Sequence, residues 1–199
     1  VASASPPDTG AVAAARVLEL VGRRAPTLGA GRLVCIDGPG GSGKTTLAAA
    51  VAALSPGTRV VHMDDLYDGW SGLASVGESL TTLLRPLAEG RAGRYRRYDW
   101  HAAAPAEEVL VEPAPLLVVE GVGSGSGVVA DLVTVLVWVW APPVLRLDRG
   151  LARDGVELRE EWEAWMADED AHFSREATAE RADVLVDGTG ERSVDVVLE

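Results

Sequence analysis

Residues 38–45 read Gly38-Pro39-Gly40-Gly41-Ser42-Gly43-Lys44-Thr45, which fills every fixed position of the pattern G-x-x-x-x-G-K-[ST]. In such a loop successive backbone N–H groups point inward and cradle phosphate oxygens. Glycine lets the backbone approach closely and take positive φ. Lys44 is placed to reach the β- and γ-phosphates, and the Thr45 hydroxyl to bind Mg²⁺. The expected ligand is a nucleoside triphosphate with magnesium. Gly38, Gly40, Gly41, Ser42, Gly43, Lys44, Thr45 and Thr46 are its candidate cradle.

Three further groups of residues could act on phosphates. Glu120 ends the apolar run Pro115–Val119, the place where an acid partners the loop hydroxyl around Mg²⁺, directly or through water. Asp64 and Asp65 follow the β-rich run Thr58–Met63. One of them could accept the proton of an attacking hydroxyl, or the pair could simply form a turn. Arg146, Arg149 and Arg153 are spaced by three and four residues, so one helix face carries all three guanidiniums. Such a row either neutralises transferred phosphate or forms a solvated basic face.

The elements that must hold these residues alternate. Apolar or β-rich runs at 32–37, 58–63, 115–120, 132–140 and 183–187 predict strands. Helical spacing appears at 11–24, 46–54, 77–89, 143–153 and 159–181, with Leu80, Leu83, Leu84 and Leu87 facing inward in the third. Several strands are apolar on both faces, as buried parallel strands are. The pattern predicts an α/β fold: a doubly wound, mainly five-stranded parallel sheet with helices on both faces. Ligands in such sheets bind beyond the carboxyl ends of the strands, where Asp37, Asp64, Asp65, Glu120 and Asp187 fall. Arg91–Trp100 reads as a hairpin and Val109–Glu112 as a short strand. Its arginines suit either a flap over the substrate, with Arg96 or Arg97 facing a negative acceptor, or a solvated hairpin. Gly121–Gly127 is a second glycine-rich stretch with no Gly-Lys-Thr after it, so a flexible turn at the site edge is expected. Trp138 and Trp140 share one strand face, and Trp162, Trp165 and Met166 one helix face; core packing is expected for both sets. His172 and Phe173 receive no role.

Composition narrows the partners. The chain has 199 residues, 47% of them hydrophobic, and one domain spanning 1–199 is expected, with residues 1–10 a frayed lead-in. Its net charge of −12 argues against nucleic acid and anionic membranes as partners. The single cysteine, Cys35, lies inside the first strand, which suits a buried structural thiol in a reducing cytoplasm. No apolar run approaches the ~18 residues of a membrane span, and no secretory leader is expected. Homo-oligomeric assembly is compatible with the sequence.

The order of these segments resembles the P-loop kinases of the uridine kinase and nicotinamide riboside kinase group. Ile36–Thr46 is similar to the group's phosphate loop, and Val118-Val119-Glu120-Gly121 to its Walker B strand. His62-Met63-Asp64-Asp65-Leu66-Tyr67 resembles the segment that supplies a base and an aromatic touching the nucleoside; the resemblance implies Asp64, also beside the metal, and Tyr67. Arg97-Tyr98-Asp99-Trp100-His101 resembles the segment packed around base and ribose, implying substrate contacts from Asp65, Tyr67, Tyr98, Asp99 and Trp100. Arg146–Asp154 is similar to the lid helix, implying that Arg146 binds ATP while Arg149 and Arg153 act in transfer with Lys44. Arg181–Gly188 resembles the last strand, implying that Asp187 lies beside the adenine. The chain departs from the group where Gly155–Glu161 turns acidic and where the Tyr98 segment is short. The implied organisation has an acceptor-side insertion at 66–112 and a lid at 143–160. The implied activity is ATP- and Mg²⁺-dependent phosphorylation of a hydroxyl on a small molecule, foremost a nucleoside such as uridine or cytidine. An ATP-binding regulatory module with slow hydrolysis, and a kinase of a sugar or other alcohol, are the alternatives.

Overall fold

Runs that are apolar on both faces must bury both, and here they do so as parallel strands covered by helices on each side. The structure, a computed structural model, describes residues 9–190 and 195–196, and side chains for residues 10–190. Of the frayed lead-in expected over residues 1–10, residues 1–8 lie outside the described residues, and residues 9 and 10 belong to the first helix. In chain order the main elements are α1 (Thr9–Arg23), β1 (Arg32–Asp37), α2 (Lys44–Leu54), β2 (Arg59–His62), α3 (Val76–Ala88), β3 (Gly93–Asp99), β4 (Ala104–Val111), β5 (Leu116–Glu120), β6 (Val135–Trp140), α4 (Pro143–Asp154), α5 (Arg159–Glu176), α6 (Thr178–Arg181), β7 (Val184–Asp187) and β8 (Asp195–Val196).

The main sheet has strand order β2-β5-β1-β6-β7-β8. The first five strands pair in parallel, as the sequence pattern predicts, and β8 adds a short antiparallel edge that the pattern did not show. Side chains alternate across this sheet. Val34, Ile36, Val118 and Val137 face α1 and α2, where Ala13 and Ala14 allow close packing. Leu33, Cys35, Leu117 and Val119 face the other side, where α3 supplies Leu80, Leu83, Leu84 and Leu87. Each such fully buried aliphatic side chain contributes about 1.5–3 kcal/mol relative to exposure. Burial also pushes the Cys35 thiol far above its ordinary range, consistent with an inert core residue.

Four sequence expectations change. The helix expected over 159–181 breaks at Ala177, whose φ of 49° is left-handed and lets the fully buried Thr178 start α6. The strand expected at 109–112 is longer, because β3 and β4 form a two-stranded antiparallel hairpin apart from the main sheet. Its residues are mostly half-buried or exposed and carry no apolar run to read. Trp140, expected in the core, is 48% exposed, whereas Trp138 on the same strand face packs edge-on against Phe173 at 4.6 Å. The stretch Gly121–Gly127 is fixed rather than loose. Asp37, fully buried at the end of β1, accepts N–H bonds from Gly38 (2.7 Å), Gly123 (2.8 Å) and Gly125 (2.8 Å).

Burial outweighs those three bonds and pushes the Asp37 carboxyl up to about 6, from an ordinary 3.8. The folded protein therefore holds this proton more tightly than the unfolded chain does. The linked stability is fully present below pH ~4 and is lost as pH rises through ~6. Asp37→Asn leaves one acceptor oxygen for three amides and turns an NH₂ toward one of them. We expect a loss of about 2 kcal/mol in urea unfolding at neutral pH. The deficit should be larger at pH 4 than at pH 7, and a gap that is constant with pH would show that Asp37 titrates alike in both states.

Candidate active site

The loop after β1 enters α2 through Gly43, whose φ of 104° is open to glycine and strained for other residues. The first bond of this turn is Leu47 N–H to Gly43 O at 3.3 Å, so the amides of Lys44, Thr45 and Thr46 precede the helical ladder. They and the helix dipole face a cleft of about 1130 Å³. Lys44 is nearly buried, and its ammonium donates to Pro39 O at 2.9 Å, held within the loop it serves. Three amides of the expected cradle are spent elsewhere. Gly38 N–H donates to Asp37. Gly40 N–H donates to Glu169 at 2.6 Å and Ser42 N–H to Pro39 O at 3.3 Å. Gly38 and Ser42 are also buried below the cleft floor rather than on it.

Glu120 sits at the end of β5, adjacent to Ile36 of β1 in register. It is 5% exposed, and its Oε1 accepts from the Thr45 hydroxyl at 3.0 Å. The same oxygen meets His62 Nδ1 at 2.6 Å, and this bond raises the imidazole's affinity for a proton. Asp64 opens into the cleft beside them. The cleft walls still enclose it enough to push its carboxyl above the ordinary range, while the charges of Lys44 and Arg153 oppose the shift. Asp65 does not line the cleft; its Oδ2 accepts from Tyr95 OH at 3.4 Å.

The three arginines of α4 have three different environments. Arg153 lies over the Trp162 ring at 5.8 Å, pairs with Asp154 at 2.7 and 2.9 Å, and reaches the cleft. Arg149 also lines the cleft and bridges two loops, donating to Gly41 O and Gly188 O at 3.1 Å. Arg146, expected to bind ATP phosphates, is turned away. It is 4% exposed and bonded to Glu169 at 3.1 Å beneath the loop. Asp187 lines the far end of the cleft, and its Oδ1 accepts from Thr189 N–H at 2.8 Å.

On the acceptor side the expected residues separate. Trp100 lines the cleft and donates its Nε1–H to Asp64 O at 2.9 Å, so the hairpin is fastened to the segment carrying Asp64. Tyr67 is a core residue whose edge reaches the cleft. Its hydroxyl donates to Val122 O at 2.7 Å, its ring packs on Trp165 at 4.9 Å, and burial holds its phenol protonated far above the usual range. Tyr98 lies outside the cleft, packed against Trp100 at 5.3 Å. Asp99 also lies outside: its Oδ1 accepts from the amides of His101 and Ala102, both at 3.0 Å, which closes the hairpin turn and lowers its pKa. Arg97, expected free for a negative acceptor, is forked onto Glu107 at 2.8 and 3.0 Å, and Arg96 donates to Ala106 O.

Sequence reasoning missed the part that five residues play in this region. Trp70 is the hub of an aromatic wall, touching Trp100, Trp162 and Trp165 at centroid distances of 5.5–6.1 Å. It stands in a polar, glycine-containing stretch without periodicity. Trp162 and Trp165, expected only to pack α5, pack and also line the cleft. Glu169 sat among four acids in the eight residues 163–170 and carried no distinguishing signal. His62 stood next to a motif residue and was legible as a neighbour of Glu120 only once β2 and β5 were paired.

A central parallel strand ending in a Gly-rich Lys-Thr loop, with an acid on the adjacent strand and an arginine helix across the cleft, defines a P-loop nucleotide-binding fold of the kinase type. The chain belongs to the phosphoribulokinase / uridine kinase family, whose sequence signature matches residues 67–178. That segment begins after the phosphate loop and takes in the hairpin, Glu120 and the α4 arginines. No curated protein sequence matches the chain. Among solved structures, a "possible uridine kinase" from Bacillus stearothermophilus superposes with a TM-score of 0.56 at 22% identity, over 79% of this chain and 89% of its own. A "putative fructose transport system kinase" from Silicibacter sp. TM1040 gives 0.52 at 22% identity, over 85% and 94%. Both share the fold. Among the described residues no helix is long and apolar enough to cross a membrane.

The arginines can be told apart by stability. Arg146→Ala leaves Glu169 as an unpaired buried charge and should cost about 3–5 kcal/mol in urea unfolding. Arg153→Ala removes an exposed pair and should change stability by less than about 1 kcal/mol. Equal losses would mean that Arg153 is as deeply committed to the fold as Arg146.

Proposed function

We propose that this protein transfers the γ-phosphoryl group of ATP to a hydroxyl of a small molecule, foremost a nucleoside of the uridine or cytidine kind. One observation carries the proposal. A single cleft holds the phosphate-loop lysine at one end and, facing it, the carboxylate of Asp64 beside a wall of indoles. The family of the chain supplies the kinase class.

The residues suit the roles. The amides of α2's first turn, Lys44, Arg149 and Arg153 hold and neutralise the triphosphate. Thr45 and Glu120 fit Mg²⁺, an ion commonly held by one or two protein oxygens together with phosphate oxygens. Among the described residues no cluster of three metal-binding side chains exists to hold it alone. Held there, the ion would supply positive charge against the phosphates. Asp64 accepts the proton of the acceptor hydroxyl as its oxygen bonds to the γ-phosphorus and the bond to the β–γ bridging oxygen breaks, releasing ADP. Its raised pKa brings it closer to neutrality, where a base works best. The aromatic wall offers flat surfaces for a ring. The hairpin arginines are paired to Glu107, Glu108 and a carbonyl, so an uncharged acceptor suits this wall better than an anionic one.

The test is ADP release across a panel of nucleosides, vitamins and sugar alcohols, set against the rate without acceptor. Stimulation by uridine or cytidine supports the nucleoside. Stimulation by a sugar alone moves the acceptor to the class named for the Silicibacter neighbour. A flat panel favours a slow nucleotide switch. Lys44→Ala should reduce transfer by about a hundredfold or more, with the folding transition retained. Asp64→Asn should reduce turnover by about 10²–10⁴ and remove the acid limb of the rate profile, which should lie above the ordinary carboxylate range. Asp65→Asn should have a far smaller effect, and equal losses would exclude Asp64 as the base.

A further inference from the structure

Glu169 of α5 is fully buried, and its side-chain hydrogen bonds reach the phosphate loop, α4 and Trp165 of its own helix. Its Oε1 accepts from the amide of Gly40 in the phosphate loop at 2.6 Å. The same oxygen accepts from the indole N–H of Trp165, one turn earlier on α5, at 2.6 Å. Its Oε2 binds Arg146 of α4 at 3.1 Å, and that guanidinium also reaches Gly40 O at 3.4 Å. The peptide at Gly40 is thus held from its amide and its carbonyl by one ion pair. The loop is pressed so closely onto α5 that a Cβ at Gly40 would lie 2.8 Å from Glu169 Oε1 and 3.1 Å from the Trp162 ring.

A carboxylate kept only to neutralise Arg146 would have no need of the loop or of Trp165. Taking a carboxylate out of water is costly, and two N–H donors besides the arginine compensate it here. Burial raises the Glu169 pKa, while the charges of Lys44 and Arg146 and the Gly40 and Trp165 bonds favour the ionised form. We infer that Glu169 is a positioning residue that sets the phosphate loop from the aromatic wall: it fixes the Gly40 peptide, and with it the direction of the amides that follow, through an oxygen shared with Trp165. Trp165 lines the acceptor half of the cleft. The geometry of the donor loop therefore depends on a side chain that an acceptor would touch. The inference rests on the assignment of the loop as the ATP site.

The experiment measures Mg²⁺·AMP-PNP binding by calorimetry, and the KM for ATP, in four proteins. Glu169→Gln places an NH₂ against either Gly40 N–H or Arg146, and should raise the dissociation constant about tenfold. Trp165→Phe keeps a ring in the wall and leaves Gly40 and Arg146 bonded, but removes the shared N–H. It should weaken nucleotide binding about threefold, raising the KM for ATP more than it lowers kcat. Trp138→Phe, on the strand face packed against Phe173 of the same helix, controls for loosened packing of α5 and should leave nucleotide affinity at the wild-type value. Wild-type affinity in a folded Glu169→Gln variant overturns the inference, as do equal shifts in Trp165→Phe and Trp138→Phe. Should Glu169→Gln fail to fold, the two tryptophan variants decide alone. A wild-type protein that binds no Mg²⁺·AMP-PNP overturns the ATP-site assignment itself, a result distinct from equal variants on a binding-competent protein.

Discussion

A parallel sheet delivers all its loops to one edge, and their backbone amides must be satisfied there without filling the cleft they frame. The fully buried Asp37 meets this constraint. One carboxylate gathers the amides of Gly38, Gly123 and Gly125, and so joins the loop after β1 to the loop after β5. Each glycine is there because something lies close by. A side chain at Gly38 would collide with the Val139 carbonyl, and one at Gly125 with Leu136. With those two loops locked, Glu120 at the end of β5 stands within 3.0 Å of Thr45 on α2. The donor half of the site is a consequence of that lock.

The same economy recurs with Glu169. Buried acids, not surface ion pairs, organise this cleft: Asp37 below one end of the phosphate loop, Glu169 behind it, Glu120 beside it. Each is held by N–H or O–H donors from elements distant in sequence. The chain's acidity therefore has two parts. Many acids form a solvated face, while these three are fixed acceptors inside the fold. The α4 arginines divide in the same way: Arg146 serves the interior, and Arg149 and Arg153 face the cleft.

The sheet was legible because β1, β5 and β6 are short, apolar on both faces and alternate with helical segments, the pattern of parallel strands between two helical layers. The phosphate loop was legible because its function demands residue types at fixed spacing. Arg146 could not be told from Arg153 by spacing, since a row along a helix says nothing of how far the helix is rotated toward the loop. Tyr67 and Asp99 carried the right residue types, but a buried carbonyl at Val122 and a hairpin turn had already claimed their polar atoms. Glu169 was invisible because its meaning lies in a contact 129 positions away.

The hairpin β3–β4 bears on how such a site tolerates change. Its backbone bonds are internal to the two strands, and it lies outside the main sheet. Its base is fixed where Gly93 abuts the Leu83 carbonyl of α3, and its far end where Trp100 meets the Asp64 carbonyl. Between these two attachments its backbone makes no strand pairing with the main sheet. A change in the hairpin's length can therefore be absorbed without moving the strands that carry the phosphate loop and Glu120.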